Sequence, residues 1–193
     1  MAKKSKNNKK PAAKVSVRDL LRVGPEFDLS AVDARRIVAG PKDKVQALAE
    51  VGALEGEVGD WQERLYAESR GGGKRRLLIL LQGMDTSGKG GAIKAIDRIS
   101  EPLGLRIAQF GAPTKAELKK HYLWRIEQKL PEPGTIGIFD RSHYEDVLVV
   151  RVRNLVPAEE WEKRYDEINA WEKKWADDGI VFLKCMLLSL IHI

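Results

Sequence analysis

Two short segments carry residues suited to handling phosphate. The first, Gly83-Met84-Asp85-Thr86-Ser87-Gly88-Lys89, has the form G-x-x-x-x-G-K. Glycines let a backbone fold around phosphate oxygens, its N–H groups point inward, and a following helix amino terminus adds positive potential. Gly83, Ser87, Gly88, Lys89 and Gly90 are the candidate phosphate contacts, with Lys89 as a mobile cation for the transferring group. A glycine-rich turn with a surface lysine satisfies the same letters; a preceding strand and a following helix are the context that separates the two. The Ser or Thr that usually follows the lysine and holds magnesium is replaced by Gly90 and Gly91. Asp85, inside the loop, is the natural substitute as metal ligand or as a base near the phosphate. An acid that merely stabilises the turn is the alternative.

The second segment is Ile136-Gly137-Ile138-Phe139-Asp140-Arg141-Ser142. An apolar strand ending in Asp places a carboxylate where a magnesium-organising acid stands beside a phosphate loop, and Arg141 can grip phosphoryl oxygens bidentately. Asp140 and Arg141 could instead pair with each other as a strand-end cap. Ligand sites of open parallel sheets lie at the carboxyl ends of strands, which favours the first role. His143, Tyr144, Glu145 and Asp146 crowd the next segment, and His121 and Arg125 share a helical face at i and i+4. The three histidines and one cysteine form no zinc-ligand spacing, and no G-x-S-x-G elbow occurs.

The elements that must position these groups follow from hydrophobic spacing. Val45, Leu48, Val51, Leu54, Val58, Trp61 and Leu65 recur every three or four residues, predicting one buried stripe on a long helix over about 42–69, bent or broken near Gly52, Gly56 and Gly59. Leu77-Leu78-Ile79-Leu80-Leu81 suits a strand buried on both faces. Ala92, Ile93, Ile96 and Ile99 mark a helix after the glycine loop, closed by Pro102 and Gly104. A strand over 105–110 follows. Thr114 and Glu117 form a capping box for a helix reaching about Leu130. A third strand covers 135–139. Pro157 opens a helix with Trp161, Tyr165, Ile168, Trp171 and Trp175 on a core-facing side, and 180–188 reads as a fourth strand. Strands alternating with helices imply an α/β fold, a mainly parallel sheet between two helical layers.

Composition narrows the class. Among 193 residues, 43% are hydrophobic and 32% charged, the balance of a globular chain. No apolar run reaches a membrane span, the start MAKKSKNNKKPAAK does not read as a secretory leader, and one cysteine fits a reducing, cytoplasmic setting. Lys3, Lys4, Lys6, Lys9, Lys10 and Lys14 account for the whole formal excess of +6. Residues 1–14 therefore read as a disordered basic arm, 15–76 as an N-terminal extension with the long helix, and 77–193 as the phosphate-handling core. With its surplus confined to the arm, the chain gives no sign of specific nucleic-acid binding.

Three segments together resemble the polyphosphate kinase 2 family: LLILLQGMDTSGKGGAIKAI at 77–96, FGAPTKAELKKHYLWR at 110–125 and GIFDRSHYEDVLVVRVRNLVP at 137–157. The resemblance runs from about Leu54 to Lys184. It implies a P-loop kinase core, dependence on Mg2+, homo-oligomers in the full-length family, and phosphoryl transfer between inorganic polyphosphate and AMP, ADP or ATP. By motif, Asp85 and Lys89 are the loop acid and lysine, Asp140 and Arg141 the second pair, and Asp85 and Asp140 the metal ligands. The wording of the motifs is most like members that phosphorylate AMP as well as ADP. The resemblance further implies a helical basic lid beyond the fourth strand, so the ending after Lys184 reads as a chain cut short or shifted in frame. Two other readings stand beside this one: an ATP-dependent nucleoside monophosphate kinase, and an inactive fragment that binds polyanions.

Overall fold

The computed structural model describes residues 16–189, so the basic arm lies outside the described residues. The centre is a four-stranded sheet in the order β2-β3-β1-β4, formed by β1 (Arg76–Gly83), β2 (Leu105–Gln109), β3 (Ile136–Asp140) and β4 (Ile180–Leu187). All three pairings are parallel, as buried apolar strands separated by helices require. Register sets Leu81 of β1 opposite Asp140 of β3 and Cys185 of β4, so β3 ends beside β1, and β1 and β4 continue together to Gly83 and Leu187. The expected three-layer α/β architecture is the one observed.

The described residues hold seven α-helices: α1 (Val17–Leu21), α2 (Lys44–Gly52), α3 (Glu55–Arg70), α4 (Lys89–Arg98), α5 (Trp124–Glu127), α6 (Glu145–Val152) and α7 (Ala158–Asp177). Alternation along the strands splits the core in two. Leu78, Leu80 and Phe139 face Ile126 of α5, Val147 of α6 and Ile168 and Trp171 of α7. Ile79, Leu81 and Ile138 face Ala92, Ile93 and Ile96 of α4, with Leu65 of α3. Each fully buried aliphatic side chain contributes about 1.5–3 kcal/mol, so this double-sided burial holds the strand ends rigidly in place. Among the described residues, no helix is long and apolar enough to cross a membrane.

Three expectations need correction. The 42–69 helix is broken between Gly52 and Glu55, as its glycines suggested, but its apolar stripe is buried only in part: Leu65 packs on the core while Leu48 and Leu54 face outward. Val45 is 75% and Trp61 60% exposed, while Gln62 is the buried residue of α3. Gln62 accepts from the Glu101 backbone N–H at 2.8 Å, pinning α3 to the approach to β2.

The helix expected over 114–130 does not form. The capping box does, with Thr114 N–H donating to Glu117 Oε2 at 2.7 Å and Glu117 N–H to Thr114 Oγ1 at 3.3 Å. It caps only a 3-10 turn over Glu117–Lys119, and Lys120 is extended. That break lets Leu123, Arg125 and Ile126 reach the interior. His121 therefore precedes α5 and shares no helical face with Arg125.

On α7 the buried face holds Ile168, Trp171 and Glu172, whereas Tyr165 is exposed. The segment after Arg141, left without an assignment in the sequence, is helix α6.

Candidate active site

The loop from Gly83 to Gly88 joins β1 to α4 and closes on itself. Gly88 caps α4 with φ +92°, a left-handed conformation that glycine adopts without a Cβ penalty. A Cβ at Gly83 would collide with the Leu187 carbonyl and lie 2.6 Å from Ser87 Oγ, so close approach of β4 also requires glycine there. The amino terminus of α4 has no side-chain cap and no acid in its first turn. Its backbone N–H groups are thus left for an external anion. At Gly90 a Cβ would meet nothing within 4 Å, so the absent side chain leaves open space on the cleft side rather than relieving a protein contact.

Lys89 is buried, and its Nζ donates to the carbonyls of Gly83 at 2.7 Å and Met84 at 2.8 Å. Those bonds take two of the three ammonium protons and hold the charge at the loop, leaving one for a phosphate oxygen.

The end of β3 delivers the second motif to the same place. A cleft of about 370 Å³ is lined by Asp85, Thr86, Ser87, Gly88, Lys89 and Gly90 from the loop, by Asp140 and Arg141, and by Gln109 at the end of β2. The eight candidates of the two motifs are brought together, with seven lining the cleft and Gly83 forming the loop's base, whereas His121, Arg125, His143, Tyr144, Glu145 and Asp146 do not line it. Arg141 does not pair with its neighbour Asp140. Its Nη2 donates to Asp85 Oδ1 at 2.6 Å, linking the two motifs. Arg141 has φ +65° and Thr86 φ +64°. Non-glycine residues in that region persist where surrounding contacts over-determine them, which is frequent at ligand sites.

Two buried polar atoms at the cleft, Asp140 Oδ1 and Ser87 Oγ, have no hydrogen-bond partner among the described residues. Buried polar atoms are ordinarily satisfied, so these two mark where a ligand, ion or water belongs. The charged lining comprises two carboxylates and two cations, formally neutral. A polyanion entering it needs further positive charge, which helix and loop N–H groups supply in part. Among the described residues no three His, Cys, Asp or Glu side chains form a metal cluster. A site built from one or two carboxylates completed by phosphate and water is the one magnesium prefers.

Residues missed in the sequence frame this centre. Gln82, at the end of β1, accepts from Ser142 Oγ at 3.3 Å and donates to Glu145 Oε1, bracing the turn after Arg141. Gln109 lines the cleft only because β2 ends level with Asp140; nothing in its local sequence signals that. A larger depression, about 620 Å³, lies where α6 meets α7 around Arg151, Asn154 and Trp161. It contains no group of either motif, so chemistry rather than volume assigns the site.

Known proteins share the sequence and fold of this chain. The family model for polyphosphate kinase 2 matches residues 42–190. An AMP/ADP-polyphosphate phosphotransferase of Meiothermus ruber is 44% identical over 168 residues, covering 86% of this chain and 61% of that protein. A polyphosphate:AMP phosphotransferase of Acinetobacter johnsonii is 42% identical over 113 residues, covering 58% of this chain and 24% of the other. The crystal structure of polyphosphate kinase 2 from Arthrobacter aurescens TC1 superposes with a TM-score of 0.82 at 40% identity, over 88% of this chain and 60% of that one. The chain thus spans about three fifths or less of each of these relatives.

Proposed function

The chain belongs to the polyphosphate kinase 2 family, and from that premise we propose that it transfers a phosphoryl group between inorganic polyphosphate and a nucleotide, AMP or ADP. The observation that carries this reading is the convergence of Asp85, Lys89, Asp140 and Arg141 on one cleft at the carboxyl ends of β1 and β3. The relatives named for transfer between polyphosphate and AMP or ADP support the same substrates.

Phosphoryl transfer asks little covalent chemistry of a protein; it needs alignment of donor and acceptor and neutralisation of charge on the moving group. The N–H groups at the start of α4 hold the phosphate oxygens of one substrate. Lys89, fixed by the Gly83 and Met84 carbonyls, presents its remaining proton to the transferring group. Arg141 exchanges its bond with Asp85 for a phosphoryl oxygen and stabilises charge in the transition state.

We assign Asp140 and Asp85 as the residues that hold Mg2+. The unsatisfied Asp140 Oδ1 and the formally neutral lining fit a divalent cation arriving with the substrate. Magnesium held there would supply positive charge to neutralise the phosphates. Freed from Arg141, the Asp85 carboxylate can turn toward the cation or polarise the acceptor phosphate.

The test is Lys89→Ala in a steady-state assay with polyphosphate and ADP. Turnover should fall by about two orders of magnitude or more, the usual consequence of removing a preorganised charge from a transition state. Near-normal turnover in that variant would sink the assignment.

A further inference from the structure

A second polar cluster stands behind the turn that follows β3, on the α7 face of the sheet. Glu172 of α7 is only 8% exposed and His143 is fully buried. Glu172 Oε1 accepts from Tyr144 Oη at 2.6 Å and lies 3.2 Å from His143 Nε2. Glu172 Oε2 accepts from Lys184 Nζ of β4 at 2.6 Å, and Lys184 also donates to Tyr144 Oη at 3.0 Å. The His143 ring packs against Trp171 at a tilt of 57°, with the ring centroids 4.8 Å apart.

A carboxylate at this depth interrupts the apolar face of α7, one turn after the buried Ile168. Burying it is unfavourable unless several donors satisfy it. Burial, the largest influence on its pKa, works to raise it. Donors from His143, Lys184 and Tyr144 outweigh that and hold it at about 2, so the group is ionised and accepts only. His143 therefore donates from Nε2. Packing alone is better served by a leucine at this position; the network has another consequence.

His143 and Tyr144 follow Arg141 by two and three residues, and Arg141 is the residue in the left-handed conformation. The turn is held on one side by Arg141 N–H donating to the Leu81 carbonyl at 3.0 Å, and by Gln82 through Ser142 and Glu145. On the other side it is held by Glu172. We propose that Glu172 is a positioning residue for Arg141, tying His143 and Tyr144 to α7 and β4 so that the turn keeps the guanidinium aimed across the cleft. This rests on the assignment of the cleft as the phosphate site.

The experiment is a double-mutant cycle between Glu172→Gln and Arg141→Ala, read in two ways: kcat/KM for transfer from polyphosphate to ADP, and the Kd of tripolyphosphate by calorimetry. Glutamine keeps the shape but sets an amide donor against Lys184. Residues sharing one network couple strongly, so Glu172→Gln should weaken both readouts about tenfold in the parent and by less than about twofold in the Arg141→Ala background. Equal losses in both backgrounds, or none in the parent, overturn the proposal; a general effect on folding gives the former. If Glu172→Gln does not fold, Tyr144→Phe removes a single donor, and its smaller loss should vanish in Arg141→Ala in the same way. If the parent chain transfers no phosphate, the proposed function fails, and the tripolyphosphate cycle still decides the role of Glu172.

Discussion

The Asp85 carboxylate and the Arg141 guanidinium, 56 residues apart in the chain, meet at 2.6 Å across the cleft. The Asp85 side chain is 79% exposed and that of Arg141 36%. An ion pair so open to water is worth about 0–1 kcal/mol. It orients the two groups toward each other without locking them.

Asp85→Ala separates the two roles of that carboxylate. Losing so weak a pair should lower Tm by no more than about 3 °C. Turnover should fall by about 100-fold or more if Asp85 serves the metal or the acceptor. Thermal denaturation and steady-state kinetics on one preparation check both. A large loss of Tm with turnover retained would make Asp85 a structural residue.

Asp140→Asn addresses the unsatisfied oxygen. Asp140 Oδ1 has no partner to lose among the described residues, so removing the charge should leave Tm unchanged or raise it. Transfer should drop by about two orders of magnitude, with more Mg2+ needed for half-maximal rate. Titrating Mg2+ after chelator treatment of both proteins gives the comparison, and an unchanged Mg2+ requirement would rule out the metal role.

The loop glycines should respond in opposite ways. Gly83→Ala forces a Cβ against the Leu187 carbonyl and Ser87, at a cost of about 1–3 kcal/mol, seen as a clear fall in Tm. Gly90→Ala enters open space on α4, where alanine favours the helix by about 1 kcal/mol. It should hold or raise Tm while weakening tripolyphosphate binding, because the methyl occupies room left for phosphate. Equal effects of the two substitutions would contradict the description of the loop.

Stability against acid should carry the signature of Glu172. Its pKa falls from an ordinary 4.5 to about 2 in the folded protein. A depressed carboxylate contributes stability that is fully present above the unfolded value and is lost as pH falls through the folded one. Urea denaturation of parent and Glu172→Gln between pH 6 and pH 3 should therefore show a gap that narrows below about pH 4.5. Asp146, whose pKa burial pushes up, acts with opposite sign but is common to both proteins and drops out of the difference. A gap independent of pH would mean that folding leaves the Glu172 carboxyl at its unfolded pKa, and a gap that widens as pH falls would mean that the carboxyl is neutral in the fold.

Much of the candidate site was legible because its residues are contiguous. A run such as Leu77 to Leu81 has one good solution, a central parallel strand, and the loop and helix after it follow from local chemistry. The end of β3 was legible for the same reason. What local pattern could not reveal was choice among faces. The 42–69 spacing is helical, yet the side turned inward is that of Gln62, because its amide bonds the Glu101 backbone and Trp61 does not. The Thr114–Glu117 box forms as written, but burial of Leu123, Arg125 and Ile126 stops the helix after one turn. Tertiary packing outweighs a cap worth about 1 kcal/mol. Glu172 left a trace, a charge inside the stripe between Ile168 and Trp175, which gains meaning only once His143 and Lys184 are beside it.

The most direct test of the account is a donor comparison on this chain. With Mg2+ present, ADP and AMP are each supplied with polyphosphate or with ATP as the sole donor, and products are followed by 31P NMR. The account predicts ATP from ADP and polyphosphate, and ADP from AMP and polyphosphate, with transfer from ATP to AMP far slower. Transfer from ATP to AMP at a comparable or higher rate, with no product dependent on polyphosphate, would contradict it.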